Sequence, residues 1–347
     1  LTRVLKSDGR KMTADASVFE GRKLYCALIN STDWSSASLT SVPYGVYSFS
    51  IGGDMAMTPL RTAFDYDFTA ASFCRDTFVG IAPMSVMGVL NGARYITIDT
   101  ENWQELKRVM YGTDKKSYSL LSSTMAYNPI DNNTYSLQYN DGMSGMDWCI
   151  YNDEYDEMDK IAAFRGKYNV LTLAAVPDGG MFFINWLGDL YRIDRKTARP
   201  TLVGSTGVLP VMYSQSMVYD GRTGLFIWAA QTETGSELYA VNPETAETSL
   251  IGRFNKNEQI VALKVDENAA KDGAPAMAEG LNLVFDADGS LGGKIEFTVP
   301  RLTYGGAALG DAMLNVWLDG ENLKGVPAVP GEKVSIPVTL SEGNHYV

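Results

Sequence analysis

The chain has 347 residues, 45% of them hydrophobic and 11% aromatic, with a net charge of −12 and a pI near 4.7. This composition belongs to a folded protein with room for one large domain and one small one, and it excludes a disordered chain. So acidic a chain lacks the basic face that phosphate backbones and anionic lipids require, which excludes nucleic acid as a partner and electrostatic docking to membranes. No run approaches the ~18 apolar residues of a membrane helix. The sequence opens on Leu1 and not on Met, from which a processed or trimmed N-terminus is expected.

Taken in order, Leu1 to Leu5 reads as an outer strand, and a repeating unit follows. The unit is complete in Gln215 to Phe254. Met217 to Tyr219 is a short strand, and Asp220 to Gly224 is a turn made by Asp and Gly. Leu225 to Ala230 is a β-branched and aromatic strand, and Thr232 to Ser236 turns again. Leu238 to Val241 is the third strand, Asn242 to Thr245 the third turn, and Thr248 to Phe254 the fourth strand. Such a sheet cannot cover both its faces alone, so neighbours of the same kind are implied.

Those neighbours lie upstream. Tyr191 precedes Tyr239 by 48 residues, and the closing pairs Val203-Gly204 and Ile251-Gly252 keep the same interval. Tyr47 and Tyr95 are also 48 residues apart. Trp148 to Asn152 falls between them and Tyr191 as a degenerate copy. The hairpin openings Val18 to Gly21, Met125 to Pro129, Val176 to Gly179 and Met217 to Gly221 match. A period of about 40–50 residues with four short strands per unit is the pattern of a β-propeller. Five repeats are visible. Gln259 to Val265 reads as the innermost strand of one more, so the expected ring has six blades, the sixth short or composite, with five as the alternative.

Asp266 to Met277 is Ala-, Gly- and Pro-rich without period and reads as a linker. Strands at Leu281–Phe285, Gly293–Val299, Leu314–Asp319 and Lys333–Leu340 suggest an immunoglobulin-class sandwich. Their order resembles a fibronectin type III module that stops before its last two strands. The expected organisation is therefore all-β: a propeller over residues 1–265, a linker over 266–277, and an incomplete fibronectin III-like sandwich over 278–347. This combination resembles the secreted or lipid-anchored surface proteins of Bacteroidetes-type gut bacteria. The resemblance implies an extracytoplasmic location and a binding or surface role.

Chemistry is sparse. Cys26, Cys74 and Cys149 are far apart in apolar settings, which points to buried free thiols and not to zinc or a disulfide framework. His345 is the sole histidine, so the propeller has no His-based triad or His-ligated metal. Asn152 to Asp159 carries five acids in eight residues, but without a calcium-loop spacing it reads as a solvated turn. Asp286 to Ser290 starts like a calcium loop and lacks the closing Glu. No catalytic residue, metal or cofactor is expected. Flat aromatic faces in loops suit sugar rings, and Trp34, Trp148, Trp186, Tyr139 and Tyr213 are the candidate ligand-binding residues. The expected function is a non-catalytic surface protein whose propeller recognises a glycan or a protein. The alternative is a carbohydrate-active enzyme using two carboxylates among Asp65, Asp67, Asp76, Asp178 and Asp189 in the propeller funnel.

Overall fold

A computed structural model of the chain describes residues 16–32, 42–86, 89–112, 122–139, 145–211, 215–266, 278–285, 292–303, 308–310, 312–318 and 321–339. The chain divides into two compact units, Leu5–Val265 and Leu1–Val4 with Asp266–Val347.

In the larger unit a 3-10 turn (Ala16–Phe19) stands where a hairpin opening was expected. It leads into β1 (Lys23–Thr32), β2 (Gly45–Ser50) and β3 (Thr58–Thr62). There follow β4 (Ala70–Cys74), β5 (Thr77–Val86), β6 (Val89–Asp99) and β7 (Glu105–Gly112), then β8 (Ser122–Asn128), β9 (Asn133–Tyr139), β10 (Met146–Asn152) and β11 (Glu157–Phe164). Next are β12 (Val170–Ala175), β13 (Met181–Asn185), β14 (Asp189–Ile193) and β15 (Pro200–Ser205), then β16 (Ser216–Asp220), β17 (Leu225–Thr232), β18 (Gly235–Val241) and β19 (Thr248–Arg253), and last β20 (Asn257–Val265). Each consecutive set of four, β4–β7 through β16–β19, is an antiparallel sheet in chain order.

The ring has five blades, not six. β20 does not found a sixth sheet but joins the first, in the order β20-β1-β2-β3. Leu24 of β1 faces Val265 and Thr32 faces Asn257. The last strand of the unit thus supplies the innermost strand of the blade that the first strands left open. Neighbouring innermost strands touch in the order β4, β8, β12, β16, β20 and back to β4.

Each blade buries both faces, so second strands show no alternation: β13 is buried at every position and β17 at all but Leu225. Burial fades outward, and β15 has no fully buried residue. Five separate apolar cores fill the five seams. For example, Phe49 and Ile51 of blade 1 pack with Ile227, Leu238 and Ile251 of blade 5, and Leu137 and Trp148 of blade 3 with Leu173 and Phe183 of blade 4. Near the axis, Ala71, Ser72, Ala126, Ala174, Ser216 and Ala262 line a cavity of about 80 Å³.

The turn between third and fourth strands is the same device in every blade. Near its end stands a left-handed residue that is not glycine: Met55 (φ 45), Trp103 (φ 61), Asp156 (φ 53), Ala198 (φ 56) and Ala246 (φ 62). In four blades an Asx side chain opens the turn; Asp99, Asn152, Asp194 and Asn242 each accept two backbone N–H bonds through Oδ1. A left-handed L-residue costs about 1–2 kcal/mol, and the offset is a contact with the preceding blade. Met55 enters the blade 5 core, Ala198 the blade 3 core and Ala246 the blade 4 core. The Trp103 ring lies 5.0 Å from Tyr25 of blade 1, and Asp156 pairs with Lys107 of blade 2. These turns latch each blade to the one before it.

In the second unit β21 (Glu279–Phe285), β22 (Gly292–Thr298) and β25 (Lys333–Thr339) form one sheet in the order β21-β22-β25, and β23 (Ala312–Leu318) pairs with β24 (Glu321–Ala328). Val316 of β23 is buried with Ile295, Phe297, Ile336 and Val338 of the larger sheet. Five strands are described here, and a complete fibronectin-type sandwich is not among them.

Candidate ligand-binding face

Each innermost strand starts at the end of the ring where the preceding blade's outermost strand finishes. We call this end upper; it also carries the hairpins between second and third strands. The central cavity has room for a few water molecules and is far below the ~300 Å³ of a small-molecule site, so this cavity does not hold a sugar.

At the upper end of blade 4 the hairpin Asn185–Asp189 is tightly specified. The Asn185 side chain accepts the N–H of Leu187 (3.0 Å) and of Asp189 (2.8 Å). Gly188 has φ 76, and a Cβ there would stand 1.9 Å from the Val208 carbonyl oxygen. The Gly188 carbonyl accepts the Thr206 N–H (2.9 Å) and hydroxyl (2.6 Å). With its inner side held in this way, the hairpin turns Trp186 and Leu187 outward, 49% and 56% exposed. We expect Gly188→Ala to lower stability by about 1–3 kcal/mol through backbone strain, read as a fall in thermal midpoint.

The connection from blade 4 to blade 5 runs beside this hairpin and then reaches the upper hairpin of blade 5. Val211 donates its N–H to the Gln231 carbonyl (2.9 Å), and Pro210 bridges Thr232. Leu209 and Val211 are 60% and 47% exposed. Beneath them the Glu237 carboxylate is buried, accepting from Thr232 (3.0 Å) and Tyr239 (2.5 Å) and pairing with Arg253 (3.0 Å). Burial, with Glu237 as acceptor, pushes the Tyr239 phenol up.

The sequence candidates fall in different places. Trp186 is on this face. Tyr139 is half-buried at the upper end of β9, beside Met146. Trp148 is wholly buried: its ring lies 5.0 Å from Tyr135, and its indole N–H bonds the Arg195 carbonyl at 2.9 Å. Trp34 and Tyr213 lie outside the described residues, as do His345 and Asp286 to Ser290. Leu187, Leu209 and Val211 were missed. For Leu209 and Val211 the signal was apolar residues inside a Gly- and Pro-marked loop, Gly207-Val208-Leu209-Pro210-Val211, and for Leu187 an apolar residue before the turn glycine Gly188.

The five carboxylates divide between the two ends. Asp76 and Asp178 sit in lower turns, where Asp178 accepts the Gly180 N–H (2.7 Å). Asp65, Asp67 and Asp189 are upper. Asp65 is paired with Arg94 (3.1 Å) and Arg108, and Asp67 lies 4.0 Å from Arg94. The acidic run Asn152 to Asp159 is the blade 3 latch turn: Asp156 pairs with Lys107 and accepts the Tyr151 hydroxyl (2.7 Å), and Asp159 accepts from Asn152 (2.8 Å). Among the described residues no three His, Cys, Asp or Glu side chains are grouped to hold a metal. The cysteines are free, with Cys26 and Cys149 buried, and burial pushes the Cys149 thiol up to about 12.

The charged network around Asp65 continues to Glu105. Its carboxylate accepts from Arg108 (2.9 Å) and from Tyr66, which lowers its pKa from an ordinary 4.5 to about 2. A depressed carboxylate stabilises the fold fully above its ordinary value and loses that contribution as pH falls towards its folded value. We therefore expect Glu105→Gln to flatten the fall in stability between pH 4.5 and 2, measured by urea unfolding across that window.

The large unit is a five-bladed β-propeller closed by its last strand. No protein-family model matches the chain, and no curated protein matches it. Among solved structures it is similar to a protein of unknown function from Bacteroides thetaiotaomicron VPI-5482, at 13% identity and a TM-score of 0.40, over 82% of this chain and 61% of that one. The chain thus spans less than two thirds of the length of that protein. It is also similar to the periplasmic gluconolactonase of Pseudomonas aeruginosa (10% identity, TM-score 0.38, 90% of this chain and 99% of that one) and to TolB from Acinetobacter baumannii (10%, 0.40, 70% and 67%). Among the described residues no helix is long and apolar enough to cross a membrane.

Proposed function

We propose that this chain is a non-catalytic, extracytoplasmic binding protein whose upper propeller face recognises a glycan. The observation that supports this most is the gathering of Trp186, Leu187, Leu209 and Val211, each about half exposed, on the upper hairpin of blade 4 and the connection that runs beside it. Monomeric surfaces scatter large apolar side chains singly, and a group of them marks an interaction site. A tryptophan face offers CH–π contact to a sugar ring. The extracytoplasmic location follows from the resemblance to secreted Bacteroidetes-type surface proteins. For the second unit we read a fibronectin III-like spacer; the sheet order β21-β22-β25 beside β23-β24 suits the early strands of such a sandwich. A glycan array followed by calorimetry tests the reading. Binding that Trp186→Ala abolishes is the expected result, and a folded protein that binds no saccharide overturns it.

A further inference from the structure

We propose that Arg165 and Lys167, on the segment bonded to the Trp186 hairpin, form a subsite for the carboxylate of an acidic sugar, so that the glycan bound is a uronate. The inference rests on the glycan reading of the upper face. The segment from Arg165 to Asn169 connects blade 3 to blade 4 at the upper end, and the Trp186 backbone N–H donates to the Asn169 carbonyl at 3.1 Å. The tryptophan hairpin and this segment are therefore tied together.

The segment has a fixed path. Tyr168 is its anchor, with its ring 5.5 Å from Phe164, 5.7 Å from Phe183 and 5.1 Å from Tyr191. Gly166 lies against that ring with φ 116, where a Cβ would stand 2.3 Å from a ring carbon. Arg165 and Lys167 flank the glycine, and both are exposed. Neither has a hydrogen bond or ion pair among the described residues. Elsewhere on the propeller Arg253 pairs with Glu237 (3.0 Å), Lys160 with Asp147 (2.8 Å) and Arg94 with Asp65 (3.1 Å). In a chain of net charge −12, two cations flanking one glycine, unpaired among the described residues, on a braced loop bonded to the hairpin of an exposed indole, are complementary to an anion with a ring attached. The guanidinium fork accepts a carboxylate in two parallel hydrogen bonds, and the ammonium adds a point charge. An acidic peptide shares the charge but lacks a flat face for Trp186 to cover.

The test is calorimetry of the full chain with short oligomers of galacturonate, glucuronate and mannuronate, the matching neutral oligosaccharides, and a Glu-rich peptide. One uronate is expected to bind about tenfold more tightly than its neutral partner, with an advantage that shrinks as salt is raised. Arg165→Gln/Lys167→Gln should erase the advantage and leave neutral-sugar binding unchanged, whereas Trp186→Ala should weaken both classes. Equal binding of charged and neutral sugars, unaltered in the double variant, overturns the acidic subsite and leaves the glycan reading standing. Tightest binding of the peptide overturns it in favour of a protein ligand, and no binding of any probe overturns both readings.

Discussion

Asp220→Ala is expected to cost about 3–5 kcal/mol of stability, the loss that follows when one member of a buried ion pair is removed. Asp220 ends β16 of blade 5. Arg22 stands just before β1 of blade 1, and the two pair across the seam where the ring closes, with side chains 0% and 2% exposed. Arg22 Nε and Nη1 have no hydrogen-bond partner among the described residues, so without the carboxylate a guanidinium is stranded in an apolar seam. Asp220 also organises its own turn, accepting from the Thr223 hydroxyl (2.8 Å) and the Arg222 N–H (3.3 Å). Asp220→Asn keeps an acceptor for that turn while removing the charge, and its loss should fall between those of wild type and Asp220→Ala. The double variant Arg22→Met/Asp220→Leu should recover most of the loss, because an apolar pair of similar volume incurs no desolvation cost. Urea unfolding of the four proteins measures this, and an Asp220→Ala loss under about 1 kcal/mol would show that the pair does not hold the seam.

Ring closure is also where reading from sequence alone failed, and the reason is physical. The strand Gln259–Val265 was visible as an innermost strand, and β20 is one. Its partner is β1, at the opposite end of the propeller's sequence, and no local pattern encodes a long-range pairing. Within blades the repeat was legible because turn chemistry is local: Asp194 and Asn242 begin the same latch turn 48 residues apart. Blade 2 slipped by one position. Turn for turn, Asp99 matches Asp194, so Tyr95 stands opposite Leu190 and not Tyr191. Side-chain exposure was the least legible property. A half-buried sheet betrays its wet face by alternation, but blades are covered on both faces, so an aromatic beside a turn looks the same whether it faces a seam or water.

Trp148 and Trp186 show the consequence, and their variants should part sharply. Trp148→Ala is expected to destabilise by about 3–5 kcal/mol, the cost of emptying a large aromatic site in a packed core. Its ring is stacked on Tyr135, and its N–H ties blade 3 to the Arg195 carbonyl in the latch turn of blade 4. Trp148→Phe keeps a stacking ring while removing the donor and part of the ring volume, so its cost should fall to about 1–3 kcal/mol. Trp186→Ala touches no core and should stay within about 0.5 kcal/mol of wild type. Thermal and urea unfolding of the three variants give the comparison directly. If Trp186→Ala unfolds as readily as Trp148→Ala, then the exposed indole supports its hairpin, and weaker ligand binding in that variant would report folding and not contact. If the two separate as expected, a binding defect in Trp186→Ala can be assigned to the face itself, because the scaffold beneath it is unchanged.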